Sequence, residues 1–273
     1  MATGSLVING TVKEDSILKA DLSNITDEDS VDIASIAKYQ WLRDDVEING
    51  SNSNQYVLSQ ADVGKAISLK LRYEDGSGSI ETFSSKKTQL VENVNDKPVG
   101  IVNILGKLSQ ESTLTADASG LSDEDGLGEY SYQWLRDGTD ISGKTAETFT
   151  LGEADVGKNI SVKVTYTDKQ GSIETVNSEK TTKILNKNDS PTGKITISGD
   201  AIEGEVLSLD TSTVADADGL GTFTIAWLRN GEIVSDTNST AYTLSQKDVD
   251  ASITAKITYV DGQGKLETLV SPP

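Results

Sequence analysis

The 273-residue chain has no cysteine and no histidine, two residue types that serve many kinds of catalytic and metal site. Without them it cannot form disulfides, thiol redox centres, zinc sites of the usual ligand set, or Ser–His and Cys–His nucleophiles. Carboxylate pairs alone could still serve a glycosidase, but the acids here fall in the predicted loops of small β-domains rather than around a cleft. The sequence therefore predicts a protein that is not an enzyme.

Positive charge is also scarce. The chain has 24 Lys and Arg against 43 Asp and Glu, which gives a formal net charge of −19. Such a surface repels phosphate backbones and anionic headgroups, so no nucleic acid partner is expected and no binding to anionic membranes. Apolar runs are short as well, and none approaches the roughly 20 residues that membrane insertion requires. Divalent cations remain the natural counterions.

Three tryptophans reveal an internal repeat, since Trp41, Trp134 and Trp227 are separated by 93 residues each time. A unit of this length has the size of one small domain. The sequence predicts three domains, which we call repeat 1 (residues 1–97), repeat 2 (98–190) and repeat 3 (191–273). The same spacing recurs in Tyr73, Tyr166 and Tyr259, in Asp62, Asp155 and Asp248, and in Gly78, Gly171 and Gly264.

Repeat 3 is predicted to lack its final strand. Repeats 1 and 2 continue into "KKTQLVENVNDKP" and "EKTTKILNKNDSP", whereas repeat 3 stops at "LVSPP". A sandwich without its last strand exposes an unpaired edge. We expect the sequence to be a piece of a longer array, and strand exchange between chains is the alternative.

Within a repeat, apolar and polar residues alternate. In "NISVKVTYTD", the residues Ile160, Val162, Val164 and Tyr166 alternate with Ser, Lys and Thr, which is typical of a strand with one buried face. Loops rich in Gly, Asp and Ser separate such strands, and only "LGEADVGK" and its counterparts indicate a helical turn. The pattern predicts an all-β chain of sandwich domains with the tryptophans in their cores.

Longer motifs carry a resemblance to a known family. In repeat 2 they are "GLSDEDGLG", "SYQWLRDG", "TFTLGEADVGK", "VTYTDKQGSIE" and "NKNDSPTG", with counterparts in the other repeats. The order of a Trp-bearing strand, a tight corner and a Tyr-bearing strand resembles an immunoglobulin-like sandwich. More narrowly, the whole chain resembles the bacterial Ig-like, cadherin-like repeats in the extender region of large RTX adhesins.

The resemblance implies a fold, a place and a role. The fold would be three tandem immunoglobulin-like β-sandwich domains in an extended rod. The chain would belong to a secreted protein of the bacterial cell surface that functions in cell adhesion, with neighbouring repeats of the same long chain as its partners. A host or surface ligand would bind through other domains, and the fragment itself would be a monomer.

Acidic residues cluster where the implied topology brings a linker and two loops together. An Ig-like domain receives the preceding linker at the end that carries its BC and FG loops. Since Ca²⁺ takes six to eight oxygen ligands, these segments predict a calcium site at each junction. At the first junction the predicted ligands are Asn95 and Asp96 of the linker, Asp123 and Asp125 of the BC loop, and Asp168 at the start of the FG turn. At the second junction they are, in the same order, Asn188 and Asp189, Asp216 and Asp218, and Asp261.

Repeat 1 carries the same loop acids, Asp27, Asp29 and Asp75, without a linker before them. Its calcium site is therefore predicted to be incomplete. Turn formation is the alternative for all of these positions, because Asp and Asn bond their own backbone in loops.

The corner "ADVGK" carries an aspartate that we predict to be structural. Asp62, Asp155 and Asp248 each precede an apolar residue at a tight turn, so they are expected to cap the turn rather than bind metal. In repeat 3 this corner reads "KDVDA". Because the glycine is replaced, the corner is predicted to bend differently.

The hypothesis for function is a structural extender whose repeats hold an adhesive module away from the cell surface, with Ca²⁺ stiffening the junctions. Two alternatives stay open. Direct ligand binding is favoured by the insertion "SVDIASIA" (residues 30–37), which only repeat 1 carries. Self-assembly into a fibre or surface layer is favoured by the predicted edge of repeat 3.

Overall fold

The computed structural model describes residues 1–29, 32–235 and 238–273. Within these ranges the regular structure is antiparallel β apart from one short α-helix and three 3-10 turns, so the predicted all-β class is confirmed. The helix, α1 (Ile33–Ile36), lies in the insertion of repeat 1. Ser30 and Val31 of that insertion lie outside the described residues. Among the residues that are described, no helix has the length and apolar character needed to cross a membrane.

The strands recur in the same order along the three repeats. In repeat 1 they are β1 (Thr3–Gly4), β2 (Val7–Asn9), β3 (Ile17–Asp21), β4 (Ile25–Thr26), β5 (Lys38–Arg43), β6 (Val46–Glu47), β7 (Gln55–Val57), β8 (Ile67–Glu74) and β9 (Ile80–Ser84). In repeat 2 they are β10 (Asn103–Leu105), β11 (Thr113–Asp117), β12 (Ser131–Arg136), β13 (Thr139–Asp140), β14 (Thr148–Thr150), β15 (Ile160–Thr167) and β16 (Ile173–Asn177). In repeat 3 they are β17 (Thr196–Ser198), β18 (Val206–Asp210), β19 (Thr224–Arg229), β20 (Glu232–Ser235), β21 (Ala241–Thr243), β22 (Ile253–Val260) and β23 (Leu266–Val270).

Each repeat contains a three-stranded and a four-stranded sheet. The orders are β2-β3-β7 and β6-β5-β8-β9 in repeat 1, β10-β11-β14 and β13-β12-β15-β16 in repeat 2, and β17-β18-β21 and β20-β19-β22-β23 in repeat 3. In immunoglobulin nomenclature these are strands A-B-E and C′-C-F-G, in which neighbours such as β5 and β8 are joined by a crossover. The predicted immunoglobulin-like class is therefore confirmed from the strand order.

The tryptophans occupy the cores, as predicted. Trp41, Trp134 and Trp227 are at most 1% exposed. In repeat 1, Trp41 of β5 packs in one cluster with Leu18 of β3 and Leu69 of β8, so it joins the two sheets. Each indole N–H donates to a backbone carbonyl at 2.8–3.0 Å. A buried aromatic side chain whose polar group is satisfied is a strong core anchor.

A buried ion pair fixes the corner before strand F. Asp248 accepts hydrogen bonds from the Ser245 N–H and from Arg229 Nε, both at 2.7 Å. The corner aspartates end the 3-10 turns Gln60–Asp62, Glu153–Asp155 and Gln246–Asp248, and the equivalent ion pairs are Arg43–Asp62 and Arg136–Asp155. The predicted capping role is confirmed, although the arginine partner was not predicted.

The corner of repeat 3 keeps the same backbone conformation, so the prediction of a different bend is wrong. Gly64 and Gly157 have φ angles of 73° and 72°, and Asp250 at the same position has 61°. Aspartate enters the left-handed region more readily than most residues with a side chain.

The described residues form two compact units. One comprises Met1–Ile101, Ala118–Ser131 and Val164–Val176, and the other comprises Val102–Asp117, Tyr132–Lys163 and Asn177–Pro273. Repeat 2 contributes segments to both units. The boundaries proposed at residues 97/98 and 190/191 stay a prediction.

Candidate metal sites

Both linkers are hydrogen-bonded to the BC loop that follows them. The Asp96 N–H donates to Asp125 Oδ2 at 2.8 Å, and the Asp189 N–H donates to Asp218 Oδ2 at 2.7 Å. The accepting residues Asp125 and Asp218 are only 2% and 4% exposed. A hydrogen bond to a charged acceptor is stronger than a neutral one, so each aspartate ties its loop firmly to the preceding linker.

Three carboxylates meet at the first of these contacts. Glu14, from the loop between β2 and β3, joins Asp96 and Asp125, and one oxygen of each lies within 4.8 Å of the other two. We call this the first acidic cluster. Glu14 Oε2 accepts the N–H of Val94 at 3.2 Å, and Gln60 Nε2 donates to Asp125 Oδ1 at 3.1 Å. The cluster thus draws on repeat 1, the linker and repeat 2.

A second acidic cluster repeats this arrangement. Glu153, Asp189 and Asp218 bring one oxygen each to within 4.8 Å of one another. Gln110 Nε2 donates to Asp189 Oδ2 at 2.8 Å, and Gln110 Oε1 accepts the N–H of Lys187 at 3.2 Å. Like the first cluster, the second contains three carboxylates and one glutamine amide.

The two clusters carry their glutamate and their glutamine at opposite positions: where one cluster has the glutamate, the other has the glutamine. Glu14 and Gln110 are equivalent, because each accepts a linker N–H, and those two N–H groups are 93 residues apart. Gln60 and Glu153 are equivalent too, because each begins the 3-10 turn of its repeat. The number of carboxylates is therefore the same in both clusters, although the glutamate enters from a different element.

The carboxylates of each cluster repel one another. Burial raises the pKa of Glu14. The hydrogen bond from the Val94 N–H lowers this pKa, whereas the charges of Asp96 and Asp125 raise it further. Burial also raises the pKa of Glu153, and the charges of Asp218 and Asp189 add to this effect. Such shifts are expected where negative charges are held together in partly dehydrated surroundings.

The residues present fit a calcium ion. Two oxygens that each lie about 2.4 Å from one Ca²⁺ can be no more than about 4.8 Å apart, and the cluster oxygens meet this condition. Gln60 Oε1 in the first cluster, and Glu153 Oε2 and Asp218 Oδ1 in the second, are buried without a hydrogen-bond partner among the described residues. All donors are oxygens, which suit Ca²⁺ rather than Zn²⁺.

The other predicted ligands lie around the clusters in hydrogen bonds of their own. Asn95 Nδ2 donates to Glu174 Oε1 at 2.8 Å, and the Tyr166 hydroxyl donates to Asp123 Oδ2. Burial, and then this bond to Asp123, raises the pKa of Tyr166. The equivalent contacts at the second junction are Asn188–Glu267 and Tyr259–Asp216.

Asp168 and Asp261 hold the FG turns. Asp168 Oδ1 accepts the N–H groups of Gln170 and Ser172 at 2.8 and 2.9 Å, and Asp261 Oδ1 caps its own turn in the same way. Their second oxygens, Oδ2, are buried without a hydrogen-bond partner within the described ranges. Neither residue is among the three carboxylates of its cluster, and their role as metal ligands stays a prediction.

The three acids predicted for repeat 1 also come together. Asp27, Asp29 and Asp75 place one oxygen each within 4.8 Å of one another. The amino group of Met1 lies 3.9 Å from Asp27 Oδ1 and 3.7 Å from Asp29 Oδ2, and the Tyr73 hydroxyl donates to Asp27 Oδ2 at 3.0 Å. Because the amino group is highly exposed, its attraction is weak.

Sequence reasoning missed Glu14, Gln60, Gln110 and Glu153. All four belong to the repeat that precedes the junction, whereas the prediction considered only the linker and the repeat that follows. A signal was present in the sequence: Gln60 and Glu153 stand 93 residues apart, two residues before the corner aspartate. That recurrence could have identified Gln60 and Glu153, whereas Glu14 and Gln110 are 96 residues apart and do not keep the period.

The chain was compared with protein families, curated proteins and solved structures. No protein-family model matches the chain, and no curated protein matches it significantly. Among solved structures, three N-terminal domains of the Hoc capsid protein of bacteriophage RB49 are 16% identical with a TM-score of 0.25, covering 100% of this chain and 98% of that one. A Ca²⁺-stabilized ice-binding adhesin of an Antarctic bacterium is 14% identical with a TM-score of 0.31 (99% and 73% covered), and an ICAM-5 D1–D4 ectodomain fragment is 13% identical with a TM-score of 0.39 (97% and 75%).

Proposed function

We propose that this chain is a set of structural extender repeats from a bacterial surface adhesin, and that Ca²⁺ binds at the two acidic clusters. The observation that carries the proposal is the composition of each cluster. One carboxylate comes from the preceding repeat, one from the linker and one from the BC loop of the following repeat. An ion bound there would cross-link three segments of the chain, which is what a spacer under load requires.

In this proposal, some residues of each cluster bind the ion and others orient the ligands. Glu14, Asp96 and Asp125 would bind the ion at the first cluster, and Glu153, Asp189 and Asp218 would bind it at the second. The ion would supply the positive charge that the cluster lacks. Gln60 and Gln110 orient an aspartate of their own cluster through their side-chain N–H groups. Ion and hydrogen bonds together would limit the freedom of the linker.

The place of action in this proposal is outside the cell. A calcium-dependent linker would stay loose in the cytoplasm, where free Ca²⁺ is kept very low, and become fixed after secretion. Extracellular modules work with Ca²⁺ affinities of about 10⁻⁴–10⁻³ M. The absence of cysteine is compatible with this, since metal ions can replace disulfides as cross-links. No catalytic activity forms part of the proposal.

Calorimetric titration with CaCl₂, combined with thermal unfolding in calcium and in chelator, tests the proposal. We expect saturable binding and a higher unfolding temperature in calcium, both reduced by Asp125→Asn and Asp218→Asn. Glu129→Gln is the matched control, because Glu129 is an exposed acid just after the same BC loop and its change removes the same charge. Equal unfolding curves in calcium and chelator would overturn the calcium part.

Small-angle scattering tests the spacer role separately. If the ion limits the linkers, the maximum dimension should be longer and better defined in calcium than in chelator. Calcium binding without any change in the scattering curve would support the metal sites but contradict the proposed extender function.

A further inference from the structure

Each linker carries an asparagine whose side chain is held by the following repeat. Asn95 Nδ2 donates to Glu174 Oε1 at 2.8 Å, and Asn188 Nδ2 donates to Glu267 Oε1 at 3.0 Å. The two residues of each pair are 79 positions apart. The glutamates are the second residues of β16 and β23, so the linker asparagine is attached to a strand of the sandwich rather than to another loop.

The same asparagine also fixes the residue that follows it in the linker. Asn95 Nδ2 donates to the Asp96 carbonyl at 3.3 Å, and the Asp96 N–H donates to Asp125 Oδ2 at 2.8 Å. Both backbone groups of Asp96 are therefore hydrogen-bonded, while its carboxylate belongs to the first acidic cluster. At the second junction the equivalent contacts of Asp189 measure 3.2 and 2.7 Å. An amide nitrogen carries two hydrogens, so one asparagine can make both of its bonds.

The glutamate belongs to a network that also holds the BC loop. In repeat 3, Glu267 of β23 is paired with Tyr259 of β22, and the Tyr259 hydroxyl donates to Asp216 Oδ2. Asp216 Oδ1 in turn accepts the N–H of Asp218 at 3.0 Å. Residues directly opposite each other on neighbouring strands lie on the same face of the sheet. The glutamate is therefore placed beside the tyrosine that fixes the BC loop of its cluster.

Repeat 1 uses its equivalent glutamate in the same way. Glu81, the second residue of β9, accepts the Ala2 N–H at 3.4 Å, and these two residues are also 79 positions apart. In all three repeats the glutamate of strand G thus accepts an N–H from the chain that enters the sandwich. This recurrence indicates that holding the entering chain is the task of the glutamate.

We infer that Glu174 and Glu267 are positioning residues of the two calcium sites and act through the linker asparagines. Neither glutamate is one of the three carboxylates of a cluster. Each would favour the linker conformation in which the next residue, Asp96 or Asp189, turns its carboxylate to the ion. Less conformational entropy is then lost when the ion binds. This inference rests on the calcium binding proposed above.

Calorimetric titration of the whole chain with CaCl₂ tests the inference in an Asp218→Asn parent, where the second cluster is disabled and the first is measured alone. Glu174→Ala should weaken calcium affinity about three- to tenfold, because part of the order of one ligand's backbone is lost. Glu174→Gln removes the same charge but keeps a side-chain oxygen that can accept the bond from Asn95, so it should retain most of the affinity. Glu179→Ala is the charge control, because Glu179 is an exposed acid of the same repeat, and it should leave the affinity unchanged.

A double variant separates positioning from ligation by the asparagine itself. If Asn95 acts through its bond to Glu174, Asn95→Ala and Glu174→Ala should cause similar losses of affinity, and the two together should lose no more than either alone. Denaturant unfolding in chelator checks for a merely structural role. The midpoint of Glu174→Ala should match that of the parent, because the sandwich core does not depend on this exposed bond.

Three results would overturn the inference while the proposed calcium binding stands. They are an affinity that Glu174→Ala leaves unchanged, equal losses in Glu174→Ala and Glu174→Gln, and additive losses in the double variant, which would make Asn95 a ligand in its own right. An absence of saturable binding in the Asp218→Asn parent would instead contradict the proposed function at this junction, and the inference with it.

Discussion

Replacing Glu14 by Gln should change the stability of the first junction in opposite directions with and without calcium. In chelator the substitution removes one of three mutually repelling carboxylates, so it should stabilise the protein. In calcium it removes an oxygen ligand that carries charge, so it should weaken ion binding. The hydrogen bond to the Val94 N–H need not be lost, because Gln110 makes the equivalent bond with its amide oxygen.

The size of the effect in chelator follows from the geometry. Two unit charges 4.8 Å apart repel by about 3.5 kcal/mol at an effective dielectric constant of 20 and by about 0.9 kcal/mol in water. The oxygens of Glu14, Asp96 and Asp125 lie within this distance of one another. Because solvent screening places the repulsion between these two limits, we expect a stabilisation of about 1–2 kcal/mol near neutral pH. In calcium, the affinity of this site should fall about tenfold or more.

The exchange of Glu and Gln between the clusters supplies the control. The double variant Glu14→Gln with Gln60→Glu gives the first cluster the arrangement of the second, with the same number of carboxylates. Calorimetric titration should show that the double variant regains most of the calcium affinity that Glu14→Gln loses. Denaturant unfolding in chelator should show that the stabilisation caused by Glu14→Gln disappears again in the double variant. If Glu14→Gln destabilises equally in calcium and chelator, Glu14 is only a structural partner of Val94 and the reasoning is refuted.

Two further predictions concern the sandwich itself. Asp248→Asn should cost about 2–3 kcal/mol near neutral pH. Burial alone would raise the pKa of Asp248, but its hydrogen bonds lower it to about 2, so the deficit measured by denaturant unfolding should shrink as the pH falls from about 4 through 2. Gly128→Ala should cost about 3 kcal/mol or prevent folding, because a Cβ there would lie 1.9 Å from the Thr167 carbonyl oxygen. Gly152→Ala, with no atom within 4 Å of the added Cβ, should change the unfolding free energy by less than about 0.5 kcal/mol.

The fold was predictable because its signals are local and occur three times. Alternation along "NISVKVTYTD" predicts a strand with one buried face, and Ile160–Thr167 is such a strand. The 93-residue spacing of the tryptophans predicts equivalent core positions, and all three are buried. The bend of the "KDVDA" corner was predicted wrongly, because the rule that such corners need glycine is only a preference and Asp250 also adopts a positive φ.

The candidate site was only partly predictable because it is assembled from distant segments. Asp96 and Asp125 could be placed together from the expected topology, and they do meet. Glu14 lies 82 residues before Asp96 and 111 residues before Asp125, in a loop of the preceding repeat. No local sequence pattern indicates that this loop reaches the junction. Sequence spacing identifies which residues recur, but the contact across a junction depends on how two repeats are joined.

The pairing of buried charges indicates that the linkers should depend on calcium and that the individual sandwiches should not. Inside a repeat, the buried corner aspartates are matched by arginines, as in Arg229 with Asp248, so the sandwich carries its own counterions. Among the residues that the structure describes, no Lys or Arg forms an ion pair with a cluster carboxylate: each cluster holds three carboxylates and a glutamine amide. Lys187 attracts Asp189 of the second cluster, but its ion pair is with Glu111. Removing calcium should therefore loosen the linkers while each sandwich stays folded. Hydrogen exchange in chelator should show this as faster exchange at residues 94–97 and 187–190, with the strands bearing Trp41 and Trp227 still protected.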